Sequence, residues 1–385
     1  MYARPQTRTL ESIDHEEKFL IRGLVYQRSD ATRGPHGFQT YENVDPIADA
    51  ELPRLKHDVE LFKELGVNTI LVYSIDPSKP RDRAMRLLAD AGIYVLVTLS
   101  TQRWYINRLD PRNSYNSDTM AGLFQIIDAM STFPNTLGVF AAYDLINNPE
   151  SLQCAPIVAA VVRDVKRYMA IKHRTVGRRI LPIGCGGNIN ANAIDNTVMR
   201  YLSSQDLESR IDFWACKCFP TSQDSGVDKI TFRDLIEQYR ETTIPVFISE
   251  YSIAANAQTQ TAEQFEALFS RDMLDVFSGG CVYEMWYDSN SYGLAQMVTP
   301  GSVPVDGKKI KEQRQTPFGT LLVYEDFENY RSVLEGIRDG RRVDSSGIVG
   351  GKGEETVEEG VQGQVQQALH IPGDTPGSCV DWLAI

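Results

Sequence analysis

Between residues 19 and 288 the chain alternates two hydrophobic patterns. Short runs rich in β-branched and aromatic residues fall at 19–27, 68–74, 94–100, 137–145, 179–186, 212–219, 245–252 and 280–288. They are nearly continuous in apolar character, as strands buried on both faces of a parallel sheet must be. Between them, apolar residues recur every three or four positions, the period of a helix with one buried face. Those stretches are 52–66, 81–92, 119–133, 155–173, 192–203, 232–242 and 262–277, with 192–203 the weakest; 318–334 completes the set as an eighth helix. Gly66 and Gly92 stand just past two of these patterns, where a left-handed residue closes a helix. Strands alternating with helices in this number predict an α/β fold, a (β/α)8 TIM barrel over 19–335. A doubly wound open sheet is the rival. It wants a glycine-rich first turn, and Val25-Tyr26-Gln27-Arg28 has no Gly-x-Gly.

The flanks read differently. Residues 1–18 are an N-terminal extension. Past Gly340 the sequence turns to Gly, Glu and Gln, and 336–385 is expected to be a flexible, mostly disordered acidic tail. Of the 385 residues, 42% are hydrophobic and 23% charged, which excludes a wholly disordered or fibrous chain. The net charge of −12 disfavours nucleic acid and anionic membranes as partners. No apolar run reaches the roughly 18 residues of a transmembrane helix. Neither end has the pattern of a signal peptide or lipid anchor, and there is no Asn-x-Ser/Thr sequon, so the chain alone suggests an intracellular protein. Six scattered cysteines are expected to be free, buried thiols. The five histidines suggest no metal site, and no cofactor is expected.

Catalytic side chains of such barrels project from the C-terminal ends of the strands. Those ends supply Gln27, Tyr73, Tyr143 with Asp144, Lys217 with Phe219, Glu250 with Tyr251, and Tyr283 with Glu284. Asn107 and Asp110 follow the third strand. Rings mixed with amides and carboxylates suit the stacking and hydrogen bonding of sugars. Asp144 ends the fourth strand and Glu250 the seventh, on opposite sides of the mouth. Two facing carboxylates are what glycosidic-bond chemistry needs, and these are expected within about 8 Å of each other. Taken singly, each residue has a bland reading as a helix cap, an ion-pair partner or rim packing.

Ordered motifs carry a family likeness. They include Gly23-Leu-Val-Tyr-Gln27, Leu65-Gly-Val-Asn-Thr-Ile-Leu-Val-Tyr73, Ile106-Asn-Arg-Leu-Asp-Pro111, Ile244-Pro-Val-Phe-Ile-Ser-Glu-Tyr251 and Asn290-Ser-Tyr-Gly-Leu294. With them, 19–297 resembles the catalytic barrel of the fungal β-1,3-glucanosyltransferases, glycoside hydrolase family seventy-two. The resemblance implies a monomeric cell-surface enzyme, anchored by lipid or held in the wall, that elongates fungal cell-wall glucan by retaining transglycosylation. Its partners would be β-1,3-glucan or laminari-oligosaccharides. It implies Glu250 as nucleophile, Asp144 in the acid/base position, and Gln27, Tyr73, Asn107, Asp110, Tyr143, Tyr251, Tyr283, Glu284 and Tyr292 along the cleft.

The sequence also departs from the family. Tyr143-Asp144 replaces Asn-Glu, Leu71 replaces an arginine, Lys217 and Phe219 replace Asn and Tyr, and Ser252-Ile253 replaces Gly-Cys. The family's cysteines around the first two helices are missing. Asp is a methylene shorter than Glu, which would widen a pair meant to stand about 5–5.5 Å apart to roughly 6.5–7 Å. Glu150 is a remote substitute for the acid. The alternative function is a glucan-binding pseudoenzyme on the same barrel.

Overall fold

A computed structural model describes residues 19–33, 39–188, 192–219, 232–252, 261–287, 292–299, 307–339 and 369–385. Its barrel strands are β1 (Ile21–Val25), β2 (Thr69–Val72), β3 (Tyr94–Thr98), β4 (Thr136–Tyr143), β5 (Ile183–Asn188), β6 (Phe213–Cys218), β7 (Val246–Tyr251) and β8 (Gly279–Val282). Each pairs in parallel with the next, and β8 pairs with β1 to close the barrel. The longer helices are α1 (Leu52–Leu65), α2 (Asp82–Asp90), α3 (Ser117–Met130), α4 (Ala155–Val176), α5 (Asn192–Ser203), α6 (Phe232–Tyr239), α7 (Ala262–Leu268) and α8 (Glu325–Arg338), with short ones at Pro111–Ser114 and Arg271–Val276. Their ends follow local chemistry. Gly66 closes α1 at φ 81°, and the Asn116 side chain accepts from Thr119 N at 3.0 Å to cap α3. Among the described residues, no helix is long and apolar enough to cross a membrane.

The core has two parts. Inside the barrel, Phe140, Phe213 and Phe247 pack together with Val25, Leu71 and Leu96. A larger layer lies between strands and helices. β5 contributes glycines to the interior instead of bulk. A Cβ on Gly184 would stand 2.3 Å from the Phe213 ring, and one on Gly186 would stand 2.5 Å from the Tyr143 ring. The room these glycines leave is taken by rings from β6 and β4.

Two expectations need correcting, and two elements were not foreseen. Residues 318–334 are not one helix: Gly319–Tyr324 is a strand, and α8 starts at Glu325. The run Leu321-Leu322-Val323-Tyr324 suits a strand, and the acidic residues Glu325, Asp326 and Glu328 favour a helix start. This strand lies between Ala295–Val298 and Ile310–Thr316 in an antiparallel sheet that the barrel pattern did not foretell. The buried pair Lys308–Asp326, at 3.3 Å, ties α8 to the segment leading into that sheet. A hairpin of Arg28–Arg33 and Gln39–Val44 is likewise an addition. Most of the expected tail lies outside the described residues, but 369–385 is docked on the helices rather than free. Its Leu369, Ile371, Val380 and Trp382 pack against the helix-layer core. All six cysteines are unpaired, and five are buried.

Candidate active site

Glu250 reaches the mouth through an irregularity in β7. Phe247 points into the barrel and Ile248 into the helix layer. Unbroken alternation would send Glu250 outward with Ile248. Instead the register with β6 shifts: Cys216 pairs with Ile248, but Lys217 pairs with Glu250. The same slip occurs against β8, where Gly280 pairs with Ile248 and Val282 with Tyr251. The extra residue is a β-bulge, a device that re-aims side chains. Glu250 turns inward, and its Oε1 accepts from Tyr73 Oη at 2.6 Å and Tyr143 Oη at 2.7 Å. The residue is only 3% exposed. Burial, and then the Glu250 charge, hold both phenols well above the usual tyrosine range, so they remain donors.

Asp144 is aimed by a different irregularity. It follows Tyr143, whose ring packs with the barrel interior, and it has φ 53°. Aspartate is among the few side chains that visit this left-handed region. Its amide donates to Gly186 O at 3.1 Å. Arg108 donates to the carbonyls of Asp144 and of Leu145, the latter at 2.7 Å. The carboxylate has fewer partners among the described residues: Oδ2 meets Lys217, while Oδ1 is buried with no hydrogen-bond partner there.

Lys217 joins the two. Its ammonium stands 3.4 Å from Asp144 Oδ2 and 3.2 Å from Glu250 Oε1, and 4.9 Å from the centre of the Tyr143 ring. The two oxygens are therefore no farther apart than these contacts laid end to end, inside the expected range of about 8 Å. The sequence placed Lys217 at the end of the sixth strand and marked it as a departure from the family, with no role in the site. Its parity on β6 was the available signal, since Ala215 faces the interior and Cys216 and Cys218 face the helices. Beside Asp144 opens a cavity of about 370 Å³, lined by Ser100, Tyr105–Arg108 and Ala141–Leu145.

The other expected residues divide. Tyr73, Tyr143 and Asn107 are at the mouth; Asn107 Oδ1 also accepts from Leu109 N at 3.0 Å. Tyr283 and Tyr292 pack together 5.3 Å apart, each also against Phe219. Glu284 is buried, with its carbonyl accepting from Leu294 N. Gln27 is bonded at both ends of its amide: Nε2 donates to Val44 O at 2.8 Å, and Oε1 accepts from Tyr73 N at 3.2 Å. Asp110 is exposed and accepts from Asn113 Nδ2, beyond the cavity lining. Tyr251 is placed contrary to expectation. The bulge that turns Glu250 in turns Tyr251 out, fully buried, and its hydroxyl donates to Gln264 O at 2.5 Å. Glu150 is exposed on a short helix after β4. Among the described residues, no three or more His, Cys, Asp or Glu side chains cluster to hold a metal ion.

A closed parallel barrel with facing carboxylates at the ends of β4 and β7 now stands beside known proteins. The family model described as glucanosyltransferase matches residues 6–315. The 1,3-beta-glucanosyltransferase gel1 of Aspergillus fumigatus is 34% identical over 298 residues, covering 77% of this chain and 60% of that protein. The 1,3-beta-glucanosyltransferase PGA4 of Candida albicans is 36% identical over 285 residues, covering 73% and 59%. Saccharomyces cerevisiae Gas2p, solved with laminaritriose and laminaritetraose, matches with a TM-score of 0.69 at 28% identity, over 85% of this chain and 67% of that one. The chain thus spans only about three fifths of the length of these curated relatives. With a family model matched across most of its barrel and relatives of this identity, the chain belongs to the glucanosyltransferase family, glycoside hydrolase family seventy-two.

Proposed function

We propose that the barrel mouth binds β-1,3-glucan and transfers it by a retaining reaction that Lys217 restrains. The observation that carries this reading is the single ammonium in contact with both facing carboxylates. In the first step, a Glu250 oxygen attacks the anomeric carbon and forms a glycosyl ester. The glycosidic C–O bond breaks, and Asp144 gives its proton to the departing sugar oxygen. In the second step, a hydroxyl of another glucan chain attacks the same carbon. Its proton passes to Asp144, and the ester bond to Glu250 breaks. Tyr73 and Tyr143 hold the Glu250 carboxylate in place through both steps.

Lys217 opposes the first step. A sugar ring cannot come between two carboxylates while an ammonium within 3.4 Å of each occupies that gap. The side chain must swing away first, and the ion pairs it makes must break. Slow transfer follows, on a groove that still binds. The Gas2p complexes with laminari-oligosaccharides support the ligand class, since that protein shares the fold at 28% identity. The same reading gives the protein a place at the cell surface, acting as a monomer.

The test is incubation with reduced laminari-oligosaccharides, watching for longer and shorter products together. Lys217→Asn should raise the rate about tenfold or more by removing the obstruction. A rate that falls would make Lys217 part of the working machinery and sink the restraint. A second reading, glucan binding without turnover, is favoured by the same lysine together with the misfit of Tyr143-Asp144. It wins if laminari-oligosaccharide binds and neither form yields products.

A further inference from the structure

The C-terminal segment 369–385 lies across α3, α4 and α5. Ser378 is its hub. Its hydroxyl donates to Asp164 Oδ2 at 2.9 Å and accepts from Trp382 Nε1 at 2.9 Å and Val380 N at 3.2 Å. One donor and two lone pairs are thereby all used. The Trp382 ring lies 4.4 Å from the Arg167 guanidinium and 6.2 Å from the Phe124 ring. Arg163 donates to Pro376 O at 2.7 Å, and Tyr201 meets Thr375 at 3.3 Å.

The segment sits on a buried polar cluster that leads to the mouth. Asp164 is fully buried, and the oxygen that takes Ser378 also accepts from Tyr115 Oη at 2.5 Å. Arg163 binds Asp164 at 3.0 Å and donates to Tyr115 Oη at 3.0 Å. Next to Tyr115, Ser114 Oγ accepts from Asn107 N at 2.9 Å. Asn107 and Arg108 line the cavity beside Asp144, and Arg108 grips the Asp144 and Leu145 carbonyls.

We propose that 369–385 is a clasp, bound in cis, that fixes the cleft wall carrying Asn107 and Arg108. About 30 residues join Asp339 to Leu369, a reach of up to roughly 100 Å when extended, so a cis path is open. The clasp contributes hydrogen bonds that keep the Asp164 charge satisfied, and through Tyr115 it orders the loop after β3. Its seat is independent of the reaction proposed above, while its effect on ligand rests on the mouth being a glucan site.

Full-length Trp382→Ala and Ser378→Ala variants test this, with Leu383→Ala, at a fully exposed position, as control. Hydrogen exchange at 105–116 should quicken about tenfold in Trp382→Ala and less in Ser378→Ala, with the control unchanged. A synthetic 369–385 peptide added to Trp382→Ala should restore protection. Laminaripentaose binding should weaken about three- to tenfold in step with exchange. Unchanged exchange at 105–116 in both variants overturns the clasp. A dimer by light scattering that Trp382→Ala dissolves overturns binding in cis. If exchange responds as expected but the parent binds no laminaripentaose, the clasp stands and the glucan reading falls.

Discussion

The two carboxylates of the mouth are held in opposite ways. Glu250 is buried, sits on a bulged strand paired on both sides, and accepts from two phenols whose protons are firmly held. Asp144 stands just past the end of β4 at a positive φ, its side chain 36% exposed, with one oxygen lacking a partner among the described residues. Three side chains converge on Oε1 of the first, while the second shares one ammonium with it. A group that attacks carbon needs a fixed position before reaction. On the roles proposed above, Glu250 is the group that needs this fixed position, and Asp144, which passes a proton, sits in the looser frame. Tyr143 joins the two frames. It stands where the family resemblance implies an asparagine, and its hydroxyl donates to Glu250.

The comparison can be broken by substitution. On the proposed roles, Glu250→Gln should reduce transfer by about 10³-fold or more, and Asp144→Asn by only about 10–10², because an acid one methylene shorter than Glu has less to lose. Equal losses in a product assay would erase the asymmetry. Next come the supporting contacts. Tyr73→Phe and Tyr143→Phe each remove a donor to a buried charge and should lower stability by about 1.5–3 kcal/mol in urea unfolding. Gly186→Ala should cost about 1–3 kcal/mol by driving a Cβ into the Tyr143 ring.

Alkaline pH sharpens the contrast more gently. The unfolded phenols ionise from about 10 upward, while folded Tyr73 and Tyr143 keep their protons longer. The native state then binds more protons than the unfolded one. Stability complete below pH 10 is therefore lost above it, by about 1 kcal/mol per phenol at pH 10.5. The Tyr73→Phe, Tyr143→Phe double variant should lose less over that interval. Smallest of all, Asp144→Gly should change stability by less than about 1 kcal/mol, since relief at φ 53° offsets a partly exposed ion pair. A loss of several kcal/mol would mean that the β4 side is as tightly built as the β7 side.

Much of this architecture could be read from the chain because barrel strands carry a strong, repeated signal. The eight runs, and the positions of Asp144 and Glu250 near their ends, followed from periodicity alone. Tyr251 was expected in the cleft because it ends the same run as Glu250, but the bulge that turns one in turns the other out, and no residue type announces a bulge. Residues 319–324 were absorbed into a helix because a short apolar run fits either period. The docked 369–385 was hidden by the composition before it: Gly, Glu and Gln say nothing about the Ser378 and Trp382 that follow. Lys217 could be seen as a departure, but its reach to both carboxylates depends on three strands meeting, which no local pattern contains.

The free thiols have a use of their own. The thiolate is the form that alkylates, and burial pushes Cys154 up to about 11 and Cys185 and Cys218 up to about 12, with Cys216 and Cys281 raised as well. Inside the barrel and its helix layer these sulfurs keep silent until the surrounding structure opens. Burial raises Cys379 too, but this thiol is only half-buried and is carried by the C-terminal segment. An alkylating reagent therefore meets two clocks in one chain. The fast one counts departures of the last residues from the helices, and the slow one counts openings of the barrel. Read together by mass, they date each event without a dye, a tag or an added substrate.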